Sequence, residues 1–261
     1  MYLFDAHIHS CAKWYEPFES ALYHMDLHGV SKALLVPIHG DFDSEYVLGC
    51  KKKYPDRVDV CVQVNNDDPH AADELRRLRD AGAVGVRLLP DEPYPGEDPY
   101  ALWRVAEEVG LAVSCYVNLP DCSDPAFHEA LASMPRLKVV LEHLGGASRT
   151  TRYPQIQLEY LDRLLELAEF PNVYVKAPAF GEFYGKPNPI VEPTFGEAPA
   201  FFKQVFDAFG PRRLMWASDF PKCSNREGYG NALYYPLHHT PFYTEEDKEW
   251  VFGKTALSVW G

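Results

Sequence analysis

The chain has 261 residues, 46% hydrophobic and 24% charged, with a formal net charge of -13. That length suits one large α/β domain or two small ones, and acidic residues scattered along the chain make nucleic acid a poor partner. No stretch approaches the roughly 18 apolar residues of a membrane span, and the opening residues are expected to leave no room for a secretory leader.

Six dispersed cysteines without CxxC spacing read as reduced thiols, so a cytoplasmic protein is expected. Tyr2-Leu3-Phe4 leads into Asp5-Ala6-His7-Ile8-His9, which predicts a strand ending in His-x-His. Alternate strand side chains share a face, so Asp5, His7 and His9 are expected to point together. Two imidazoles there supply half of a metal site; alone, the motif is equally an exposed or hydrogen-bonded pair.

Phe18 to His28 predicts a helix stopped by Gly29, and the apolar run Lys32 to Ile38 a buried strand. A helix follows through Glu45 to Tyr54, ended by Pro55, then a strand from Val58 to Val64. Asp68-Pro69, Asp98-Pro99 and Asp124-Pro125 each read as an N-cap before a proline at the first helical position. The first two helices run to Gly82 and Gly110, residues suited to end them. Strands are predicted at Val84 to Leu89, Leu111 to Val117 and Leu137 to Leu144. An amphipathic helix spans Gln155 to Glu169, with Leu158, Leu161, Leu164, Leu165 and Ala168 on one side. Val173 to Ala177 and Leu214 to Ser218 are the last strands, and a capping box at Thr244 to Asp247 opens a helix toward Trp260. Pro178 to Pro199, rich in proline, glycine and aromatics, reads as a long βα loop that walls or covers a site. His238 and His239 read as loop residues.

Eight short apolar strands separated by helices predict a single (β/α)8 TIM barrel over residues 1–261. The rival, an open doubly wound sheet, lacks a GxGxxG after the first strand and a Walker lysine loop. In a barrel, chemistry sits at the C-terminal strand ends. Those ends carry His7 and His9, His39, Arg87, Tyr116, His143 followed by Leu-Gly-Gly, Lys176, and Asp219 before Phe-Pro. Each alone has a bland reading: a hydrogen-bonded histidine, a buried ion pair for Arg87, a turn aspartate. Together they converge on one barrel mouth.

The stretches Asp5 to His9, Gly85-Val-Arg87, Glu142-His143-Leu-Gly-Gly, Val173-Tyr-Val-Lys176 and Arg213 to Pro221 resemble the amidohydrolase superfamily, in its amidohydrolase-related (amidohydrolase 2) branch. That branch holds lactonases of sugar lactones and of pyrone dicarboxylate or muconolactone types, and decarboxylases of the aminocarboxymuconate semialdehyde type. The resemblance runs from Tyr2 to Trp260. It implies that His7, His9, His143 and Asp219 form the metal or active-site set, with Asp219 and His143 catalytic and Asp219 the general base. It implies one Zn2+, because the fourth strand ends in Leu-Leu-Pro and offers no lysine to bridge two metals. Some lactonases of the branch work with the same histidines and aspartate without metal.

The expected reaction is lactone or ester hydrolysis of a small, anionic or neutral molecule, with Arg87, Tyr116, Lys176 and His39 as candidate substrate contacts. Asp5 either orients a histidine or caps its strand. A non-oxidative decarboxylase on the same site is the nearest alternative, although the seventh strand carries Lys176 where such enzymes carry a further histidine. A phosphoesterase also starts from His-x-His but needs a bridging glutamate where this chain has Arg87. A barrel that binds without turnover is the reading outside enzymology. Association with further copies of the chain is left open.

Overall fold

A computed structural model describes residues 1–148, 160–191 and 194–261. Eight strands form within them: β1 (Phe4–Ile8), β2 (Lys32–Leu35), β3 (Val58–Val62), β4 (Gly85–Leu88), β5 (Ala112–Cys115), β6 (Val139–Leu141), β7 (Val173–Pro178) and β8 (Leu214–Ala217). Each pairs in parallel with the next in chain order. The ends meet where the Asp219 amide donates to the His7 carbonyl at 3.0 Å and the His9 amide to the Phe220 carbonyl at 2.7 Å. The result is the (β/α)8 barrel that strand count and alternation predict. Pairing stops earlier than the apolar runs do. In β2 the reason is Pro37, which has no N–H to continue the ladder.

The helices are α1 (Phe18–His28), α2 (Ser44–Lys53), α3 (Ala71–Asp80), α4 (Ala101–Val109), α5 (Pro125–Ser133), α6 (Leu161–Glu166), α7 (Ala200–Phe209), α8 (Tyr229–His238), α9 (Glu245–Glu249) and α10 (Thr255–Trp260). Of the three Asp-Pro starts, only Asp124 caps its helix directly, accepting from the Ala126 amide at 2.9 Å. Asp68 and Asp98 instead accept from the His70 and Tyr100 amides, forming a turn that delays each helix to residues 71 and 101. Gly29 and Gly110 end α1 and α4 in the left-handed conformation that a side chain resists. Thr244 and Asp247 form the expected capping box, but the last helix is interrupted by a π turn over Trp250–Lys254. The predicted helix from Gln155 is described only from residue 160, with α6 followed by a 3-10 turn at Leu167–Glu169; its first turns lie outside the described residues.

Two helices were not anticipated. In α7 the buried Phe202, Val205 and Phe209 keep a helical spacing behind a proline-rich approach. In α8 an internal Pro236 obscures the pattern, and His238 closes this helix instead of lying in a loop. His239 is its C-cap.

Two apolar layers position the site. The larger lies between strands and helices, with Val58, Val60 and Val62 of β3 packed in one cluster with Leu75 and Leu78 of α3. The smaller fills the barrel floor: Phe4, Ala6, Leu34, Cys61, Val140 and Met215, closed by Ala256, Val259 and Trp260 of α10. Trp260 Nε1 donates to Met215 Sδ at 3.3 Å. A Cβ on Gly85 would lie 2.7 Å from the Trp260 ring, so the plug requires glycine there. Burying such side chains stabilises by about 1.5–3 kcal/mol each, leaving only the opposite mouth for polar groups. No helix among the described residues is long and apolar enough to cross a membrane.

Candidate active site at the barrel mouth

A break in the pleat of β1 arranges the first two histidines. Asp5 and Ile8 pair with Ala33 and Leu35, so β1 takes three residue steps where β2 takes two. An extra residue of this kind re-aims side chains. Phe4 and Ala6 stay in the barrel floor, while the Asp5 carboxylate accepts from the Ser218 amide at 2.9 Å, the Tyr229 hydroxyl at 3.0 Å and the His7 amide at 3.3 Å. Asp5 therefore does not share a face with the imidazoles, although strict alternation predicts that it does. It ties β1 to β8 and α8. Burial, only partly offset by these hydrogen bonds, raises its pKa to about 6.

His7 and His9 meet inside the mouth, their Nε2 atoms 3.0 Å apart. His9 Nδ1 lies 2.8 Å from the Val36 carbonyl, which only accepts, so the proton sits on Nδ1 and a lone pair on Nε2. His7 Nδ1 lies 2.8 Å from Lys176 Nζ, which donates to Ser114 Oγ at 2.6 Å. Burial lowers the pKa of both histidines, for His7 with the added repulsion of Lys176. Both are held neutral, the form that binds metal.

His143 and Asp219 follow β6 and β8 at φ of 53° and 57°. Left-handed backbone at non-glycine residues costs of order 1–3 kcal/mol and gathers at functional sites. Gly146 completes the turn after His143: a Cβ there would lie 2.8 Å from the Asn118 backbone. Glu182, in the 3-10 turn after β7, accepts from His143 Nδ1 at 3.1 Å and from Ser148 Oγ at 2.7 Å. That leaves His143 Nε2 as an acceptor, buried and without a hydrogen-bond partner, and Asp219 Oδ1 is buried in the same condition. His9 Nε2 stands 3.5 Å from Asp219 Oδ1, so with the proton on Nδ1 two acceptor atoms face one another there. Burial opposes the Asp219 charge, and protonation of His9 or His143 beside it would offset that and lower its pKa.

These atoms fit a divalent cation. His7, His9 and Asp219 place ligand atoms within 4.8 Å of one another, as do His143, Glu182 and Asp219, and His7, Glu142 and His143. A void of about 10 Å3, bounded by His7, His143, Lys176, Glu182 and Asp219 among others, has room for one ion or water. Three imidazoles and a carboxylate suit zinc and its neighbours in the first transition series. Glu182 fixes the His143 tautomer, as an outer carboxylate does for a histidine that can ligate. Nothing in its local sequence signals this role.

The remaining predicted residues lie elsewhere. Arg87 donates from Nε and Nη2 to the two Glu142 oxygens at 3.2 and 2.7 Å, and from Nη1 to the Pro37 carbonyl at 2.9 Å. Its flat edge faces Glu142, and the side chain is 4% exposed. Glu142 is wholly buried; burial opposes its charge, but Arg87 and Lys176 hold its pKa far below the usual carboxylate range. The Tyr116 ring lies 4.9 Å from the Arg87 guanidinium carbon and edge-on to His143. His39 stands half-exposed at the rim, 3.1 Å from Glu92. Unanticipated, Arg226 reaches in behind β8, with Nη1 3.7 Å from Glu182 and 3.9 Å from Asp219.

Solved structures share this architecture. A probable 2-pyrone-4,6-dicarboxylic acid hydrolase from Acinetobacter baumannii, with citric acid bound, is 20% identical with a TM-score of 0.77, each chain covered completely. An amidohydrolase from Burkholderia multivorans with bound zinc is 17% identical with a TM-score of 0.78, over 100% of this chain and 99% of that one. A 5-carboxyvanillate decarboxylase from Sphingomonas paucimobilis is 18% identical with a TM-score of 0.59, over 92% of this chain and 82% of that one. At such identities these likenesses speak for the fold. A search of curated proteins gave no match. The amidohydrolase family model matches residues 15–261, beginning just after the His-x-His strand and taking in His143, Glu182 and Asp219. By that match, over nearly its whole length, the chain belongs to the amidohydrolase family.

Proposed function

We propose that the protein hydrolyses the lactone or ester bond of a small organic molecule at a mononuclear zinc site held by His7, His9, His143 and Asp219. The observation that carries this reading is the convergence of the His7 and His9 Nε2 atoms, 3.0 Å apart, beside two buried, unpartnered atoms, His143 Nε2 and Asp219 Oδ1. A zinc ion held by these residues would supply Lewis acidity, lowering the pKa of a water to about 7 and polarising the scissile carbonyl. Asp219 is ionised at neutral pH and accepts the water's proton, later delivering it to the leaving oxygen.

The zinc-bearing and hydrolase-named neighbours support the same reading. One observation supports a metal-free alternative. His143, its Nδ1 proton held by Glu182 and its Nε2 open, has the arrangement of a general base. A decarboxylase would use the same residues, and one structural neighbour bears that name.

The test is metal analysis of the purified protein and of a His7→Ala variant, with turnover of lactone and carboxylated aromatic panels with and without zinc. We expect about one zinc per chain, lost in the variant together with lactone hydrolysis. Chelation should lower the melting temperature, since an ion at 100 times its Kd stabilises by about 2.7 kcal/mol. Full lactonase activity without metal would move the mechanism to His143 and Glu182. Turnover of carboxylated aromatics alone would replace the hydrolase with the decarboxylase.

A further inference from the structure

The three imidazoles at the mouth are not wired alike. A histidine that ligates through one ring nitrogen ordinarily donates its other N–H to a carbonyl, a carboxylate or water. His9 has such an acceptor in the Val36 carbonyl at 2.8 Å, and His143 has one in Glu182 at 3.1 Å. Behind His7 Nδ1 stands a donor instead, Lys176 Nζ at 2.8 Å. An ammonium has three N–H groups and no acceptor, so His7 Nδ1 receives.

The bonds on either side agree on that direction. At one end the Val36 carbonyl takes the His9 Nδ1 proton, which leaves His9 Nε2 with a lone pair. His7 Nε2, 3.0 Å away, is then the donor of their contact and carries the proton of its ring. At the other end Ser114 Oγ gives its proton to Glu142 Oε1 at 2.7 Å and accepts from Lys176 Nζ at 2.6 Å. Both ends lead to the same His7 tautomer, opposite to that of His9 and His143. Lys176, Ser114 and Glu142 are buried, and a satisfied polar network in such surroundings is rigid. Glu142 Oε1 lies 3.8 Å from His7 Nδ1 and equally 3.8 Å from Lys176 Nζ. The lysine therefore competes for the carboxylate that could serve His7 as Glu182 serves His143.

We infer that Lys176 is a positioning residue that weakens the hold of the site on a divalent cation, by fixing His7 with its proton on the nitrogen that faces His9. The inference rests on the zinc reading for the ion but not for the tautomer. An ion that takes His7 Nε2 displaces that proton to solvent and approaches a buried ammonium on the far side of the ring. His143 Nε2 and Asp219 Oδ1, which have no hydrogen-bond partner, carry no such cost.

The test has two arms. In two-bond 1H–15N spectra of the full chain after chelation, His7, identified by its loss in His7→Ala, is expected to be protonated on Nε2. A His7 ring protonated on Nδ1 overturns the inference, and this arm needs no lysine variant to fold. In the second arm, competition with a chromophoric chelator measures zinc affinity in the parent and in Lys176→Met. The folded variant is expected to bind zinc about tenfold more tightly or better, a gain that a lysine with a merely structural role would not give. Equal or weaker binding overturns the inference and leaves the zinc reading standing. Zinc held by Lys176→Met and not by the parent upholds the inference and removes the zinc reading. Zinc held by neither overturns both.

Discussion

Arg87 and Glu142 show how a single residue's role turns on its partner. A substrate-binding arginine and a structural one have the same sequence signature, but they respond differently to removal. Breaking a buried ion pair by deleting one side costs about 3–5 kcal/mol. Arg87→Met is therefore expected to lower stability by that order in urea unfolding, with the loss not recovered by ligand. A raised KM with unchanged stability would return Arg87 to the substrate.

Glu182 should behave in the opposite way. Glu182→Gln keeps the volume but removes the charge that holds the proton on His143 Nδ1. Zinc affinity or kcat/KM should fall about 10–100-fold, with the thermal stability of the zinc-free protein nearly unchanged.

Asp5 gives a pH signature. Its folded pKa, raised from 3.8 to about 6, means that the folded state holds its proton more tightly than the unfolded one. Its contribution is present in full below pH 3.8 and is lost as pH rises through 6, about 3 kcal/mol across the window at 1.36 kcal/mol per unit. The depressed pKa values of His7 and His9 act in the opposite direction, removing stability as pH falls below about 6.5. Comparing melting temperatures of Asp5→Asn and the parent from pH 4 to 7 isolates the first effect. The difference should shift in the variant's favour as pH rises. A constant difference would sink the argument.

At the scale of elements, the closing helix has the clearest energetic role. Ala256, Val259 and Trp260 of α10 seal the barrel floor against Phe4 and Met215. Trp260→Ala should cost about 3–5 kcal/mol in chemical denaturation. Gly85→Ala should cost a measurable part of that, because its new methyl meets the same ring. The regular elements were largely legible because their signals are local: alternation, helical spacing, Asp-Pro starts and αL glycines. α8 was not, since its internal Pro236 contradicts helix propensity while tertiary burial of Tyr229, Ala232, Leu233 and Tyr235 holds it in place.

At the scale of the whole molecule, the mouth is a place where opposite rules meet. Below it the barrel is apolar and tightly filled. At the top, His7, His9, Lys176, Glu142, Arg87 and Asp219 are all nearly fully buried, and buried charge is tolerated only when paired or metal-bound. The two positive side chains and Glu142 satisfy one another, while the histidines and Asp219 are left facing a void.

The sequence by itself determined the barrel, the order of its strands and the presence of His7, His9, His143 and Asp219 at strand ends, because periodicity and topology suffice to assign strand ends. Tertiary structure alone decided how those residues are used. The extra residue in β1 turned Asp5 away from the His-x-His pair with which sequence alternation had grouped it. Partners 55 and 39 residues apart, Arg87 with Glu142 and His143 with Glu182, then separated the structural ion pair from the open imidazole. No local pattern encodes such pairings: they depend on the register of the closed sheet and on loops folding over its mouth, which exist only once the barrel has formed.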